Sequence, residues 1–308
     1  MQILILKPSF QCNNNCIMCI NSQRRQSPEL SLDKIKQSLT KFKNGHKDTL
    51  FLIITGGEPT INKHLIKYIE LARKNGFKYI EVQTNARNLA DKKYTKELTN
   101  AGANVFFISI HGHNSYTHEL VTRRKGSFIE TLKGIENLVN ENQFVRTNTV
   151  LLKSNIKYLP SIGELISSLS IKEAQISFPH GISSFLNYYP IIVPLFSEVK
   201  PLLYETIPIL LQSSVKVKVE AIPPCFLVGY EKCYMDYIEA KYPNFIYEPS
   251  YSETREEFYP FEFKRGKVYT KKCTQCDYRV ACAGIYTEYL VNYEDYEFLP
   301  VKIKSQGQ

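Results

Sequence analysis

No apolar run in the 308-residue chain approaches the roughly 18–20 residues that a membrane-spanning helix requires. The longest candidates are interrupted by Pro190, Pro194 and Pro208. The N-terminus does not read as a signal peptide either, since Met1 to Phe10 is expected to be a short apolar strand with Lys7 inside it. Nor are there the dense basic runs of a nucleic-acid tail. Lys plus Arg is 39 against 30 for Asp plus Glu, and the net charge of +9 is spread along the sequence. Such a mildly basic surface suits an anionic partner or an acidic redox protein. Repeats and low-complexity tracts are absent. With 43% hydrophobic and 22% charged residues, the composition is globular and excludes a disordered or collagen-like chain. The expectation is a cytoplasmic protein with one large domain, or a large domain with a small one attached.

Cysteine is missing from the whole stretch between Cys19 and Cys225. The eight cysteines fall instead at the two ends, as Cys12, Cys16 and Cys19 and as Cys225, Cys233, Cys273, Cys276 and Cys282. A secreted disulfide scaffold is shorter and more evenly studded. In a reducing compartment, clustered thiols with gaps of two and three residues read as metal ligands, so two metal sites are expected.

Between the two groups, period and punctuation alternate between strand and helix. Short strands are expected at Ile3–Leu6, Leu50–Thr55, Tyr79–Gln83, Asn104–Ile110, Phe144–Leu152 and Ala174–Phe178. Helices are expected at Leu30–Phe42, with Ser31 as N-cap, and near His64–Lys74, Lys92–Ala101, Phe128–Asn140 and Leu159–Leu169. Six strands, each followed by a helix or helix-like segment, imply a parallel sheet with right-handed crossovers. The expected fold class is α/β, a partial (β/α)6 TIM-like barrel over residues 1–220, with chemistry at the C-terminal strand ends. From Cys225 the texture changes, and residues 221–263 carry many Tyr, Phe and Pro with little period. Residues 221–308 are therefore read as a small, loop-rich domain held together by its metal.

Directly after the first strand comes C-x3-C-x2-C, Cys12-Asn13-Asn14-Asn15-Cys16-Ile17-Met18-Cys19. Three thiolates on one short loop can hold three irons of a [4Fe–4S] cubane and leave the fourth open to a ligand. Zinc would want a fourth ligand nearby, and none is obvious. The loop resembles the signature of radical S-adenosylmethionine (SAM) enzymes, in which the open iron chelates the amino and carboxylate groups of SAM. The second strand ends in Thr55-Gly56-Gly57-Glu58-Pro59. Alone this is a tight strand-to-helix turn. Beside the cysteine loop it resembles the family's Gly-Gly-Glu-Pro motif, which implies that Gly56, Gly57, Glu58 and Pro59 bind SAM.

Further strand ends resemble the family less sharply. Thr84-Asn85-Ala86 is similar to its Thr-Asn-Gly, with Ala86 in place of glycine. Ser109-Ile110-His111-Gly112 lies where the family places a polar group near SAM. Arg123, ahead of Gly126-Ser127-Phe128, resembles an arginine that pairs with the SAM carboxylate, although an Arg-Arg-Lys run is also what a solvated surface looks like. The resemblance thus implies Asn85, Ser109 and Arg123 as further SAM ligands. His111, His113 and His118 sit in an apparent loop, a poor setting for a metal beside the cluster.

The later thiols Cys273, Cys276 and Cys282 give C-x2-C-x5-C, which resembles the SPASM and twitch extensions of radical SAM enzymes. A full SPASM pattern has another cysteine where this chain has Tyr286. The count allows three thiols for the SAM cluster, four for one auxiliary [4Fe–4S] cluster and one spare. Cys225, stiffened by Pro223 and Pro224, is the chosen fourth auxiliary ligand. The alternatives are an exchange of roles with Cys233, or zinc bound by the C-terminal thiols.

The resemblance implies reductive cleavage of SAM, a 5′-deoxyadenosyl radical and hydrogen abstraction from a substrate. A peptide or protein side chain comes first as substrate, for oxidation, cross-linking or epimerisation. An aminosugar-like small molecule, dehydrogenated or epimerised, comes second. The first strand begins at residue 3, so no fused leader-recognition domain is expected. As spare thiol, Cys233 is a candidate hydrogen-atom donor; as a plain buried thiol it would be inert. The electron donor would be an acidic flavodoxin or ferredoxin.

Overall fold

The computed structural model describes residues 2–46, 49–180, 186–235, 246–247, 259–260 and 266–302. Most of the Tyr-rich segment 221–263 lies outside the described residues beyond position 235. Seven strands form one sheet in the order β1 to β7: Gln2–Ser9, Leu50–Gly56, Phe77–Thr84, Val105–Ser109, Phe144–Val150, Glu173–Ser177 and Lys216–Glu220. Every neighbouring pair is parallel, and the sheet does not close on itself. This is the expected α/β partial barrel, with one strand more than the six read from the pattern.

Helices return the chain between strands. They are α1 (Leu32–Gly45), α2 (Leu65–Lys74), α3 (Lys92–Ala101), α4 (Ser115–Thr122), α5 (Ser127–Asn140) and α6 (Leu159–Ser168), then a single turn α7 (Tyr189–Ile192) and α8 (Phe196–Gln212). Sequence accounts for their starts. Ser31 accepts the Lys34 N–H at 3.3 Å ahead of α1, and Asp91 takes the Lys93 and Tyr94 N–H groups at 2.8 and 3.2 Å ahead of α3, each satisfying otherwise orphaned donors. Gly102 closes α3 in the left-handed region at φ 119°.

Alternation along each strand divides the two faces. Leu4, Leu6, Leu52, Ile54, Ile80 and Val82 belong to the main core together with Ile35, Leu39, Phe42 and Tyr68 of the helices. Ile3, Ile5 and Ile53 form a separate small cluster with Phe51 on the opposite, concave face. Farther along, that face turns polar, with Glu81, Arg146 and Glu173.

The described C-terminal residues pack onto the same core. Phe178 and Tyr289 stack against Phe196 at 4.3 and 4.4 Å, and Phe226 and Phe298 close the group at 5.1 and 5.7 Å from the same ring. Burying each such ring contributes about 1.5–3 kcal/mol. Tyr289 lies on α9 (Thr287–Tyr293). Small two-residue antiparallel pairs join β8 (Ile246–Tyr247) to β9 (Tyr259–Pro260) and β10 (Lys267–Val268) to β11 (Ile285–Tyr286). No helix among the described residues is long and apolar enough to cross a membrane.

Candidate functional site

The cysteine loop leaves β1 and is fastened on two sides. Toward β2, Gly57 N–H donates to the Ser9 carbonyl at 2.9 Å and Glu58 N–H to the Gln11 carbonyl at 2.7 Å. Toward α4, Asn15 N–H donates to the Thr122 carbonyl at 2.9 Å and Ile17 N–H to that of Val121 at 3.0 Å. Both glycines of the turn are required by this closeness. Gly56 sits at φ 119°, where a Cβ would stand 2.5 Å from the Ser9 carbonyl oxygen. A Cβ on Gly57 would overlap the Gln11 carbonyl oxygen outright. Gly57→Ala is expected to push the loop off the turn, costing about 1–3 kcal/mol and weakening SAM binding; a melting curve and SAM titration of the reconstituted protein check it.

Glu58 is 3% exposed and spends its carboxylate on the protein. One oxygen accepts Thr60 N–H at 3.0 Å and the Thr60 and Thr84 hydroxyls at 2.6 Å each; the other accepts Asn85 N–H at 2.7 Å. Burial raises its pKa, and these four donors oppose the rise. The carboxylate therefore braces the ends of β2 and β3, while Pro59 opens a buried 3-10 turn. From the same brace Asn85 reaches the loop, with Nδ2 2.7 Å from Asn13 Oδ1 and 3.9 Å from the Cys12 sulfur. Ala86, where the related motif has glycine, is fully buried at φ 61°, a conformation that costs an L-residue about 1–2 kcal/mol.

Several residues that hold this loop carry no motif. Arg87 donates to the Asn13 carbonyl at 2.6 Å and to Asn14 Oδ1 at 3.1 Å, and is itself paired with Glu130 at 2.5 Å. Arg124 donates to the same carbonyl at 2.9 Å, and Asn21 Nδ2 to the Gly56 carbonyl at 2.7 Å. Arg123 is exposed, at φ 52° in the C-cap of α4, while its neighbour Arg124 joins Arg87 on the Asn13 carbonyl. Ser109 ends β4 half-buried beside Asn148. Of the three histidines, His118 lies on α4, a helix the pattern did not announce. It accepts the His111 N–H at Nδ1 (3.2 Å), and the rings stack at 6.0 Å. Burial lowers both pKa values, to about 3 for His111, which also feels His118, and about 4 for His118. The pair is neutral.

The three loop thiols lie within electrostatic reach of one another. Burial, then the Cys12 and Cys19 thiolates, push Cys16 up to about 12. Burial raises the Cys12 pKa as well, opposed by Asn14 N–H at 3.4 Å from its sulfur. Among the described residues no three His, Cys, Asp or Glu side chains close on a single metal ion. Three thiols on one short loop are a donor set that would suit three irons of a cubane.

At the C-terminal end, Cys225, Cys273, Cys276 and Cys282 line one cavity with about 420 Å³ of atom-free space, part of it open to solvent. Pro223, Pro224, Ile285 and Phe298 supply its apolar walls. Burial, then Cys282, Cys276 and Cys273, push Cys225 up to about 12. Gly284 N–H at 3.3 Å and Thr270 Oγ1 at 3.6 Å approach the Cys282 and Cys273 sulfurs. Four thiols around one cavity are a donor set that would suit a second cluster or a zinc ion. Cys233 lines no part of it; it is 7% exposed, in the main core, beside Tyr234, which bridges to Val219 of β7.

Comparison with known proteins agrees with this geometry. The model of the Radical SAM superfamily matches residues 6–166. A probable GTP 3′,8-cyclase of Methanopyrus kandleri is 33% identical over 175 residues, 56% of this chain and 55% of that protein. The chain spans less than two thirds of the length of the curated relatives it matches. Streptococcus suis SuiB bound to precursor peptide SuiA has a TM-score of 0.66 at 14% identity, covering 98% of this chain and 75% of SuiB. Native anSMEcpe with bound AdoMet and Cp18Cys peptide has a TM-score of 0.65 at 16% identity, covering 96% and 91%. These two likenesses concern the fold.

Proposed function

Because the chain belongs to the radical SAM superfamily, we propose that it is an enzyme that cleaves SAM reductively and abstracts hydrogen from a substrate held on the concave face of the sheet. The observation that carries this reading is the cysteine loop hydrogen-bonded to the Gly56–Glu58 turn, with three thiols in mutual reach. When bound, the cluster and SAM supply a one-electron cleavage of the sulfonium C–S bond and a radical that removes hydrogen.

The chain's own residues hold and orient. Cys12, Cys16 and Cys19 would hold the SAM cluster, and Arg87, Arg124 and Asn21 would keep loop and turn in register. Gly56, Gly57, Glu58, Pro59, Asn85, Ser109 and Arg123 would bind SAM beside that cluster. Cys225, Cys273, Cys276 and Cys282 would hold an auxiliary [4Fe–4S] cluster in a C-terminal unit spanning 221–308. Beside the loop, Arg123, Arg124 and Lys125 are exposed, a basic rim suited to an acidic flavodoxin or ferredoxin as electron donor.

A peptide or protein side chain is the leading substrate class, supported by the peptide-bound structures of SuiB and anSMEcpe. A small molecule such as an aminosugar is the second reading, supported by the resemblance to a GTP 3′,8-cyclase. Anaerobic reconstitution followed by SAM and dithionite is expected to yield 5′-deoxyadenosine. If none forms at any iron loading, the proposal is wrong. A precursor peptide encoded beside the gene that consumes SAM in the same assay would select the first substrate class.

A further inference from the structure

The concave face carries two polar layers on β3 to β7. In the deeper one every carboxylate has a cation. Arg146 donates to Glu81 at 2.9 and 3.0 Å and to Glu173 at 3.4 Å. Lys218 and Lys216 stand 2.8 and 3.6 Å from the Glu173 oxygens.

The upper layer is different. It consists of Asn148 on β5, Gln175 and Ser177 on β6 and Glu220 at the end of β7. Gln175 Nε2 donates to Ser177 Oγ at 3.0 Å and to Glu220 Oε2 at 2.9 Å. Gln175 is 5% exposed, and its Oε1 is buried with no hydrogen-bond partner. Turning the amide over does not help, because it would set Oε1 against the Glu220 carboxylate. Ser177 Oγ has one hydrogen and stands 2.7 Å from Glu220 Oε2 and 2.8 Å from Asn148 Oδ1. Turning the Asn148 amide relieves that shortage but leaves Gln175 Oε1 and the Glu220 charge as they are. The layer has more acceptors than donors.

It is also anionic. Burial alone would raise the Glu220 pKa, but His180, Ser177 and Lys267 outweigh it and hold the carboxyl down at about 2. The cations facing it are engaged elsewhere in part. His180 Nε2 is 3.7 Å from Glu220 Oε1, and its Nδ1 lies 2.9 Å from the Tyr286 hydroxyl. The Lys267 ammonium lies over the Tyr286 ring at 5.0 Å, and Lys218 is committed to Glu173 one layer below.

We propose that Asn148, Gln175 and Glu220 form a recognition site for a protonated primary amine of the substrate. An ammonium brings one charge and three divergent N–H donors, matching acceptors on three adjacent strands. A neutral hydroxyl brings no charge and a single donor for three acceptors, and a planar guanidinium presents its donors in one plane. The site lies at the β5–β7 side of the sheet, across from the cysteine loop on β1, so it would anchor one end of a substrate and present another part to the SAM side. The inference rests on the reading that the concave face receives the substrate.

The test is saturation-transfer NMR on the reconstituted, SAM-loaded full chain with n-butylammonium chloride. Tetramethylammonium chloride and sodium butyrate at equal ionic strength are the comparisons. Saturable binding of n-butylammonium alone is expected, weakened about tenfold or more by Glu220→Gln, since a hydrogen bond to a charged group is lost. Gln175→Met, which removes the unpaired acceptor, should weaken it as well and serves if Glu220→Gln does not fold. Equal binding of tetramethylammonium or butyrate, no saturable binding of n-butylammonium, or unchanged affinity in the folded variants overturns the proposal. Formation of 5′-deoxyadenosine in the same preparation is scored separately. Cleavage without amine binding removes this inference alone, and amine binding without cleavage removes the radical SAM reading alone.

Discussion

Replacing Cys12, Cys16 and Cys19 together with alanine is expected to reduce 5′-deoxyadenosine formation to background while metal stays bound at the other end of the chain. The reason is the independence of the two thiol groups. Cys16 responds to Cys12 and Cys19, and Cys225 to Cys273, Cys276 and Cys282. They also hang on different supports, the first on β1, β2 and α4 and the second on the turns around β10, β11 and Pro223–Pro224. If both hold cubanes, iron should fall from about eight to about four per chain. Near-normal cleavage by the triple variant would overturn the assignment of the loop. Loss of all iron would show that the C-terminal group depends on the first.

The parts of this site that could be read from sequence are those in which chemistry fixes local spacing. A cluster loop must place its thiols within a few residues, and the Gly56-Gly57 turn must pass close to another backbone; both leave a contiguous trace. Arg87, Arg124 and Asn21 leave none, because each acts through a side chain meeting a distant carbonyl, and solvated arginines look the same in a sequence. Glu58 illustrates a subtler loss. Its motif implies contact with SAM and says nothing of the four hydrogen bonds its carboxylate accepts from Thr60, Thr84 and Asn85, which tie the ends of β2 and β3 together.

The fold shows the same division. Strands β1, β2 and β4 stand out as apolar runs, and β3, β5 and β6 as mixed segments between helices and turn signals. Strand β7, Lys-Val-Lys-Val-Glu, is an edge strand whose alternation is its only signal, and none of the six expected strands covers it although it carries Glu220. Helix α8 contains Pro201 and Pro208, residues that ordinarily argue against a helix interior. Packing of Phe196, Leu203 and Ile207 into the core outweighs that penalty. The polar layer at Gln175 was hidden for a different reason. Gln, Ser and Glu on separate strands become a donor-poor network only when the parallel register brings Asn148, Gln175 and Lys218, and one step on Ser177 and Glu220, side by side.

Single substitutions at Cys225 and Cys233 should separate sharply. Cys225→Ala removes one of the four thiols around the C-terminal cavity, and bound iron is expected to drop from about eight toward about four per chain. Cys233→Ala should leave iron unchanged, because burial alone raises the pKa of that thiol and no cavity cysteine contributes. The reverse pattern would exchange their roles, and about four irons with one zinc in the unaltered protein would make the C-terminal site a structural zinc centre. For Cys233 the remaining question is chemical. It lies against the β7 end of the sheet through the Val219–Tyr234 bridge, close in sequence register to Glu220. A thiol that donates hydrogen must meet the substrate radical. If Cys233 does so, Cys233→Ala should continue to form 5′-deoxyadenosine and exchange substrate hydrogen while epimerised product disappears. Undiminished product would leave Cys233 as a core side chain, and epimerisation would then need a donor other than this cysteine.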